Sequence, residues 1–153
     1  VSLNRRTERF NLFAQLGARV AQIDPAGKTL YHAASVLVCN DLTALMESGL
    51  RAYESAGLDR ATAQSMMEPL VRETLDNVFA LGTVRALTGP VARGDAAVVS
   101  RQLAALTALD PRLAEAYRAL NAVALDLARA QGRAPIAALD AVAAALRGAD
   151  RKE

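Results

Sequence analysis

The stretch between Pro25 and Gly57 places the strongest constraint on how this chain can fold. Asp24 suits the N-cap of a helix, Pro25 suits the first helical position, and Gly57 suits the left-handed residue that ends a helix. The pattern predicts one helix of about 30 residues, with a length of about 45 Å. A helix of that length spans a small domain, so we expect the shorter elements to pack around it.

The two sides of this predicted helix differ in polarity. At about 100° per residue, the apolar side chains share one broad arc, which we expect to be buried. The apolar arc contains Leu30, Ala33, Ala34, Leu37, Val38, Ala44 and Leu45. The opposite side forms a polar stripe of Lys28, His32, Ser35, Cys39 and Thr43, flanked by Thr29, Asn40 and Glu47. Asp41 falls inside the apolar arc and would need a partner there.

Composition indicates an all-α protein. With 153 residues the chain can form one ordinary domain with a real core. Hydrophobic residues make up 52% of the chain and charged residues 22%, as in a soluble globular protein. Aromatic residues reach only 4% while alanine is abundant, which favours closely packed helices over sheets. We predict a bundle of five to six helices around the long one.

Charge and cysteine content bear on partners and location. The net charge is +2, and the arginines alternate with acids instead of clustering, so we expect no nucleic-acid partner. A single cysteine, Cys39, excludes an internal disulfide and favours a reduced, cytoplasmic protein. No apolar run has the length of a membrane span, and no signal-peptide pattern opens the chain, so we expect no membrane partner.

Start and stop signals divide the rest of the chain. A short helix over 5–16 and a short strand over 18–23 are predicted before the long helix. Helical spacing resumes over 61–81, where Pro69 should kink the helix or split it near Glu68. Residues 83–95 carry turn chemistry and are predicted to be irregular. Three further helices are expected to start at Gly94 or Asp95, at Asp110-Pro111 and at Pro135, before a frayed tail from Asp150.

Lys28 and His32 are the strongest candidates for chemistry. Their i, i+4 spacing presents a lysine and an imidazole to the same small volume. A desolvated lysine can exchange a proton with a carbonyl or hydroxyl centre, and the imidazole can orient the same oxygen. The alternative is a solvated lysine and a structural histidine. Asn40, further along the flank, can bond a ligand or merely a neighbouring loop.

A second candidate is Arg93, in the predicted irregular segment. Its guanidinium can bind an anion, or it can pair with a neighbour in a tight turn. The chain has no Gly-x-Gly-x-x-Gly, no phosphate-binding glycine-rich loop and no cluster of metal ligands. We therefore expect that it cannot hold a dinucleotide alone in the usual way.

Several short motifs resemble one family. They are Lys28-Thr-Leu-Tyr-His-Ala-Ala, the Cys39-Asn40 step, Pro69-Leu70 followed by Asn77, and Ala86-Leu-Thr-Gly-Pro-Val-Ala-Arg-Gly-Asp. Together they resemble the helical C-terminal domain of the family termed domain of unknown function 2520. That family is similar to the 6-phosphogluconate dehydrogenase C-terminal-like group, whose members carry a Rossmann domain ahead of the helical one. The resemblance covers roughly Leu16 to the final helix.

The resemblance implies a domain plan. Residues 1–24 would be the last helix and strand of a nucleotide-binding domain, and residues 25–153 the helical substrate and dimerisation domain. NAD or NADP would be bound in the complete protein and not by this chain alone. A homodimer is expected, and ketopantoate reductase is a related enzyme with the same two-domain plan.

The resemblance also implies roles for single residues. In the dehydrogenase group a lysine on the long helix, followed four residues later by an asparagine, works on the substrate hydroxyl or carbonyl. Lys28 matches that lysine, whereas His32 replaces the asparagine. The hypothesis for the site is therefore Lys28 and His32 as catalytic residues. Substrate binding would fall to Asn40, Thr88, Arg93 and Asp95.

These observations favour the C-terminal domain of an NAD(P)-dependent oxidoreductase acting on a small, anionic hydroxy or keto acid. The alternative is a stand-alone, non-catalytic helical module for dimerisation or ligand binding. A third interpretation is a purely structural helical protein, in which the polar stripe is only a solvated face. A cleft containing Lys28, His32 and Arg93 would favour a site over that third interpretation.

Overall fold

A computed structural model describes residues 12–13, 15–17, 21 and 23–148. Within these residues the chain is all-α and contains no strand. Seven α-helices are defined there: α1 Lys28–Ser55, α2 Arg60–Leu81, α3 Thr83–Ala86, α4 Pro90–Arg93, α5 Ala96–Leu109, α6 Pro111–Gln131 and α7 Ile136–Arg147. A 3-10 turn, Pro25–Gly27, leads into α1.

The long helix forms where the sequence predicts it. Helix α1 has 28 residues. The Asp24 carboxylate accepts a hydrogen bond from the Ala26 amide at 2.9 Å, which caps the preceding 3-10 turn. Gly57 has a φ of 99°, a conformation that other residues rarely adopt, and it ends the turn that follows the helix. Both boundary signals are therefore confirmed.

The chain divides into two compact units, Val1–Leu45 and Met46–Glu153, and the boundary falls within α1. In the first unit no residue of α1 is buried. Leu30 is 75% exposed, Leu37 64% and Val38 69%. The expectation that the apolar arc is buried is therefore wrong within this chain. Helical periodicity identifies an apolar face, but it does not show that another surface covers that face.

The second unit has a main core at its C-terminal end. Helices α5, α6 and α7 pack on one another, and α4 packs on all three. Seven buried residues make up this core: Val91, Val99, Leu125, Ala128, Leu139, Val142 and Leu146. The predicted starts are confirmed for all three helices. The Asp95 and Asp110 side chains accept amide hydrogen bonds at the starts of α5 and α6, and Pro135 is the N-cap of α7.

A smaller core joins the end of α1 to α2. Leu50 packs with Ala63 and Met67, and four half-buried apolar residues surround them: Met46, Tyr53, Leu58 and Val71. Asp59 caps α2 by accepting from the Thr62 amide at 3.0 Å. Helix α2 continues through Pro69 as one element, so of the two predicted outcomes, a kink or a split near Glu68, the split does not occur. The prolyl ring is tolerated within the helix, although it removes one backbone donor.

Residues 83–95, predicted to be irregular, contain two short helices. Helix α3 covers four residues and α4 another four, separated by Leu87, Thr88 and Gly89. Gly89 has a φ of 94° and is followed by Pro90 at the first position of α4. Gly94 closes α4 in the left-handed conformation, with a φ of 73°. The glycines and the proline bound a short helix here, and these extra helices raise the number above the predicted five to six.

The N-terminal predictions fall mostly outside the described residues. Of the predicted helix over 5–16, four residues are described. Three of them are helical, Leu12, Phe13 and Gln15, and Leu16 is in a turn. Of the predicted strand over 18–23, only Ala21 and Ile23 are described, and neither has regular secondary structure. The predicted frayed tail from Asp150 lies outside as well.

Candidate functional site

Lys28 and His32 lie one turn apart at the start of α1. Both residues are exposed. Neither side chain forms a hydrogen bond or ion pair with another residue in the described part of the chain. The first turn of α1 contains no acidic residue that would hold the lysine. The two polar heads are therefore free to meet a group that approaches from outside the helix.

The rest of the polar stripe is partly satisfied by the helix itself. The Ser35 hydroxyl donates to the Tyr31 carbonyl at 3.2 Å, and the Thr43 hydroxyl donates to the Cys39 carbonyl at 3.1 Å. Cys39 is a free, exposed thiol. Asn40 is exposed on the flank of the stripe. The stripe therefore leaves Lys28, His32 and Asn40 with side-chain groups available for a ligand.

Thr88 and Arg93 line an open cavity of about 420 Å³ in the second unit. The cavity has two walls. The first contains Leu87, Thr88, Gly89, Ala92 and Arg93, and the second contains Gln131, Arg133, Ala134 and Pro135. The motif from Thr88 to Arg93 is thus placed at a concave surface, where a small molecule can be bound on more than one side.

Asp95, unlike Thr88 and Arg93, does not face the cavity. Its carboxylate accepts a hydrogen bond from the Val98 amide at 3.0 Å, in the first turn of α5. Asp95 is also absent from the residues that line the cavity. The structure therefore brings Thr88 and Arg93 together at the cavity and uses the Asp95 side chain as a helix cap.

Close packing fixes the position of the motif. Val91 and Ala92 are buried. A Cβ atom built on Gly94 would lie only 2.7 Å from the Ala138 Cβ on α7, so α4 ends in a tight approach to that helix. A side chain at this position would collide with α7 and would also be strained by the positive φ. The backbone beside Arg93 is accordingly held in one place.

Gln131 joins the two walls of the cavity. Its amide nitrogen donates to the Val84 carbonyl at 2.8 Å and to the Leu87 carbonyl at 3.0 Å. Its Oε1 atom is buried and accepts no hydrogen bond from a described residue. The last turn of α6 is thereby tied to α3 and to the residue that precedes Thr88.

Sequence reasoning missed Gln131 and Arg133. They lie about forty residues after the motif, Gln131 at the end of α6 and Arg133 in the turn that follows, and neither has a local pattern that marks it. The sequence marks only the helix boundaries near them: Gly132 ends α6 with a φ of 66°, and Pro135 precedes α7. Those signals fix a turn, but not the element that the turn will face.

The resolved pKa shifts lie away from this cavity. The Arg60 and Arg51 guanidiniums hold the pKa of the Glu47 carboxyl below its usual value through hydrogen bonds. Arg60 also pairs with Glu54 at 3.2 Å, so these charges link the end of α1 to the start of α2. Burial raises the pKa of Tyr117, whose hydroxyl donates to Gln102 at 2.8 Å. These groups contribute to packing within the second unit.

Neither a metal-binding cluster nor a membrane-spanning helix is found in the described part of the chain. Across residues 12–13, 15–17, 21 and 23–148, no group of three or more His, Cys, Asp or Glu residues could hold a metal ion. No helix in that part of the chain has both the length and the apolar character needed to cross a bilayer.

Comparison with known proteins identifies the family alone. A search of curated proteins gave no match, and a search of solved structures gave none either. The family model described as "Domain of unknown function (DUF2520)" matches residues 5–124, which is most of the chain and includes Lys28, His32, Thr88 and Arg93. The chain therefore belongs to the DUF2520 family.

Proposed function

We propose that this chain is the helical substrate-binding and dimerisation domain of an NAD(P)-dependent oxidoreductase acting on a small hydroxy or keto acid. The observation that carries the proposal is the exposed Lys28–His32 pair at the start of α1, which bonds to no other described residue. In the resembling dehydrogenase group a lysine at this point of the long helix works on the substrate oxygen. The free Lys28 side chain is compatible with that task.

The roles follow from the chemistry of each side chain. The Lys28 ammonium donates a proton to the substrate carbonyl oxygen during reduction and takes it back during oxidation. His32, one turn further on, hydrogen-bonds the same oxygen and orients it. Asn40 contacts the body of the substrate. Thr88 and Arg93, in the second unit, are assigned to the binding of an anionic group. Hydride transfer itself belongs to NAD or NADP, held in the complete protein by a domain other than this one.

The exposed apolar arc of α1 supports the dimerisation part of the proposal. Leu30, Leu37 and Val38 each expose more than half of their surface. An apolar helix face of this length is stabilised when another surface removes it from water. A second copy of the chain presents the same arc and can pack against it with two-fold symmetry.

The test uses the full-length native protein with NADH or NADPH and a panel of small 2-keto acids. Lys28→Ala should lower kcat by about a hundredfold or more, because general acid catalysis contributes on that scale. Lys152→Ala is the matched control, since it removes the chain's other lysine from a position near the C-terminus. Turnover of Lys28→Ala close to that of the control would contradict the catalytic role. A native protein that turns over no 2-keto acid would favour the non-catalytic module.

A further inference from the structure

The charges around the cavity lined by Thr88 and Arg93 are all of one sign. Arg93 and Arg133 are the charged residues among those that line it, and no carboxylate is among them. Neither guanidinium forms an ion pair with another residue in the described part of the chain. Arg93 and Arg133 belong to the two segments that line the cavity, and an anion bound in it would be attracted by both guanidinium groups.

The same residues supply the geometry that oxyanions require. Guanidinium groups bind carboxylate and phosphate through paired, charge-assisted hydrogen bonds. The Thr88 hydroxyl adds a neutral donor on the wall that holds Arg93. The buried backbone around Ala92 and the Gln131 bonds to Val84 and Leu87 keep the walls in place before a ligand arrives. Such preorganisation lowers the entropy lost on binding.

A second cavity shows what distinguishes this one. It has about 470 Å³, lies between α6 and α7, and is lined by Arg118, Arg129 and Arg147 together with Asp126. Arg129 already pairs with Asp140 at 3.1 Å and with Asp126 at 3.8 Å. Part of its positive charge is therefore neutralised from within the chain, whereas the Arg93–Arg133 cavity has no carboxylate in its lining.

The two arginines differ in their relation to the family. Arg93 lies inside the segment matched by the family model, residues 5–124, and Arg133 lies beyond it. Arg93 therefore belongs to the motif shared with the family, whereas Arg133 comes from the turn that this chain forms after α6.

We infer that the cavity is a receptor for the oxyanion group of a small ligand, a carboxylate or a phosphate, held between Arg93 and Arg133 with Thr88 as an additional donor. The inference rests on the proposed function in one respect, because it takes the chemical class of the ligand, a small hydroxy or keto acid, from that proposal. Binding itself needs no cofactor. Arg133 is then a specificity-determining residue that recognises the anionic end of the substrate.

The experiment titrates the whole chain with L-malate and, separately, with inorganic phosphate at constant ionic strength set by NaCl. Two-dimensional NMR follows the backbone amides of 87–94 and 131–135 and the guanidinium Nε signals of the two arginines. We expect saturable shifts confined to these groups with at least one of the two probes. Arg93→Gln and Arg133→Gln should each weaken binding by about tenfold or more, since each removes a charge-assisted contact.

Arg85→Gln provides the control. Arg85 is exposed on the neighbouring helix α3, has no ion pair in the described part of the chain and does not line the cavity. Its replacement removes the same charge nearby and should leave affinity within about twofold. Equal weakening by all three variants, or the absence of saturable shifts with both probes, would overturn the inference. All three side chains are exposed, and unchanged spectra elsewhere will show that the variants fold.

The outcome is separable from that of the proposed function. Saturable binding by this chain, combined with no keto-acid turnover by the native protein, would support the anion-binding cavity and contradict the oxidoreductase proposal. Normal turnover by an Arg133→Gln native protein with an unchanged KM would contradict the role of Arg133 in substrate recognition and leave the oxidoreductase proposal standing.

Discussion

The first half of α1 and the three helices α5–α7 have similar apolar patterns but very different surroundings. In α5–α7 the apolar side chains form a closed core, where Val99 and Val142 have no exposed surface and Leu139 only 2%. Along α1 up to Leu45 no side chain is buried at all. Both regions are regular helix, so a regular helical backbone does not by itself show that the apolar side chains of the helix are buried.

The difference indicates where the stability of each helix originates. Helices α5–α7 gain theirs from apolar surface that the chain itself removes from water. Residues 28–45 gain little in that way and depend on helix propensity and on continuity with the buried end of α1 near Leu50. Helical segments of that kind are stabilised further by a partner.

The largest effect is expected from truncating the closed core. Leu139→Ala should lower the free energy of unfolding by about 2–5 kcal/mol, because it deletes buried methyl groups and leaves a cavity. Leu37→Ala removes the same atoms from the exposed arc and should change it by less than about 0.5 kcal/mol. Urea unfolding, at a concentration where sedimentation shows a monomer, measures both. Similar losses for the two variants would remove the contrast between the regions.

A smaller loss is expected from the polar link at the cavity. Gln131→Met keeps the length of the side chain but leaves the Val84 and Leu87 carbonyls without their donor. The free energy of unfolding should fall by about 1–3 kcal/mol. Gln64→Met, at an exposed position on α2, is the matched control. A change no larger than that of the control would mean that the two walls do not depend on this link.

A third prediction concerns the exposed arc directly. Leu37→Glu places a charge in the face that a second copy would cover and should weaken self-association by about tenfold or more. Thr43→Glu places the same charge on the polar stripe and should leave it nearly unchanged. Sedimentation equilibrium gives both constants. If the native chain stays monomeric at all concentrations, the dimer is refuted and the arc must have another partner.

The smallest effect is expected from the charges that join α1 to α2. The pKa of Glu47 is lowered from 4.5 in the folded chain, first by its hydrogen bond with Arg60. Its contribution to stability is therefore fully present above the unfolded pKa and is lost as the pH falls through the folded one. The urea midpoints of the native chain and Glu47→Gln should differ at pH 7, and the difference should shrink as the pH is lowered below 4.5. A difference that does not shrink as the pH falls would assign the effect to packing.

How much the sequence predicts depends on the range of the interaction. Helix boundaries are local, so Asp24, Gly57 and Asp110 marked them correctly. Proline is a local signal too, but α2 continues through Pro69 without the split that was one of the two outcomes expected there. The arc of α1 was identified as apolar, yet its exposure depends on surfaces elsewhere in space.

The candidate site follows the same division. Thr88 and Arg93 were found because they share one short motif, and the structure adds that they line a cavity. Gln131 ends α6 and Arg133 lies in the turn after it, both far from the motif in sequence, and only the packing of α4 on α6 and α7 reveals that they line the same cavity. Whether Lys28 and His32 act together is a chemical prediction that the Lys28→Ala experiment tests.

Hydrogen exchange along α1 tests most directly whether its exposed face needs a partner. In this chain, at a concentration where it is monomeric, the amides of 32–45 should exchange at least about a hundredfold faster than those of 125–128 in the closed core. Their protection should rise with chain concentration and in the native protein, as the apolar arc becomes covered. Protection of 32–45 equal to that of the core in the monomer would contradict the account, because this helix would then be stable without any partner.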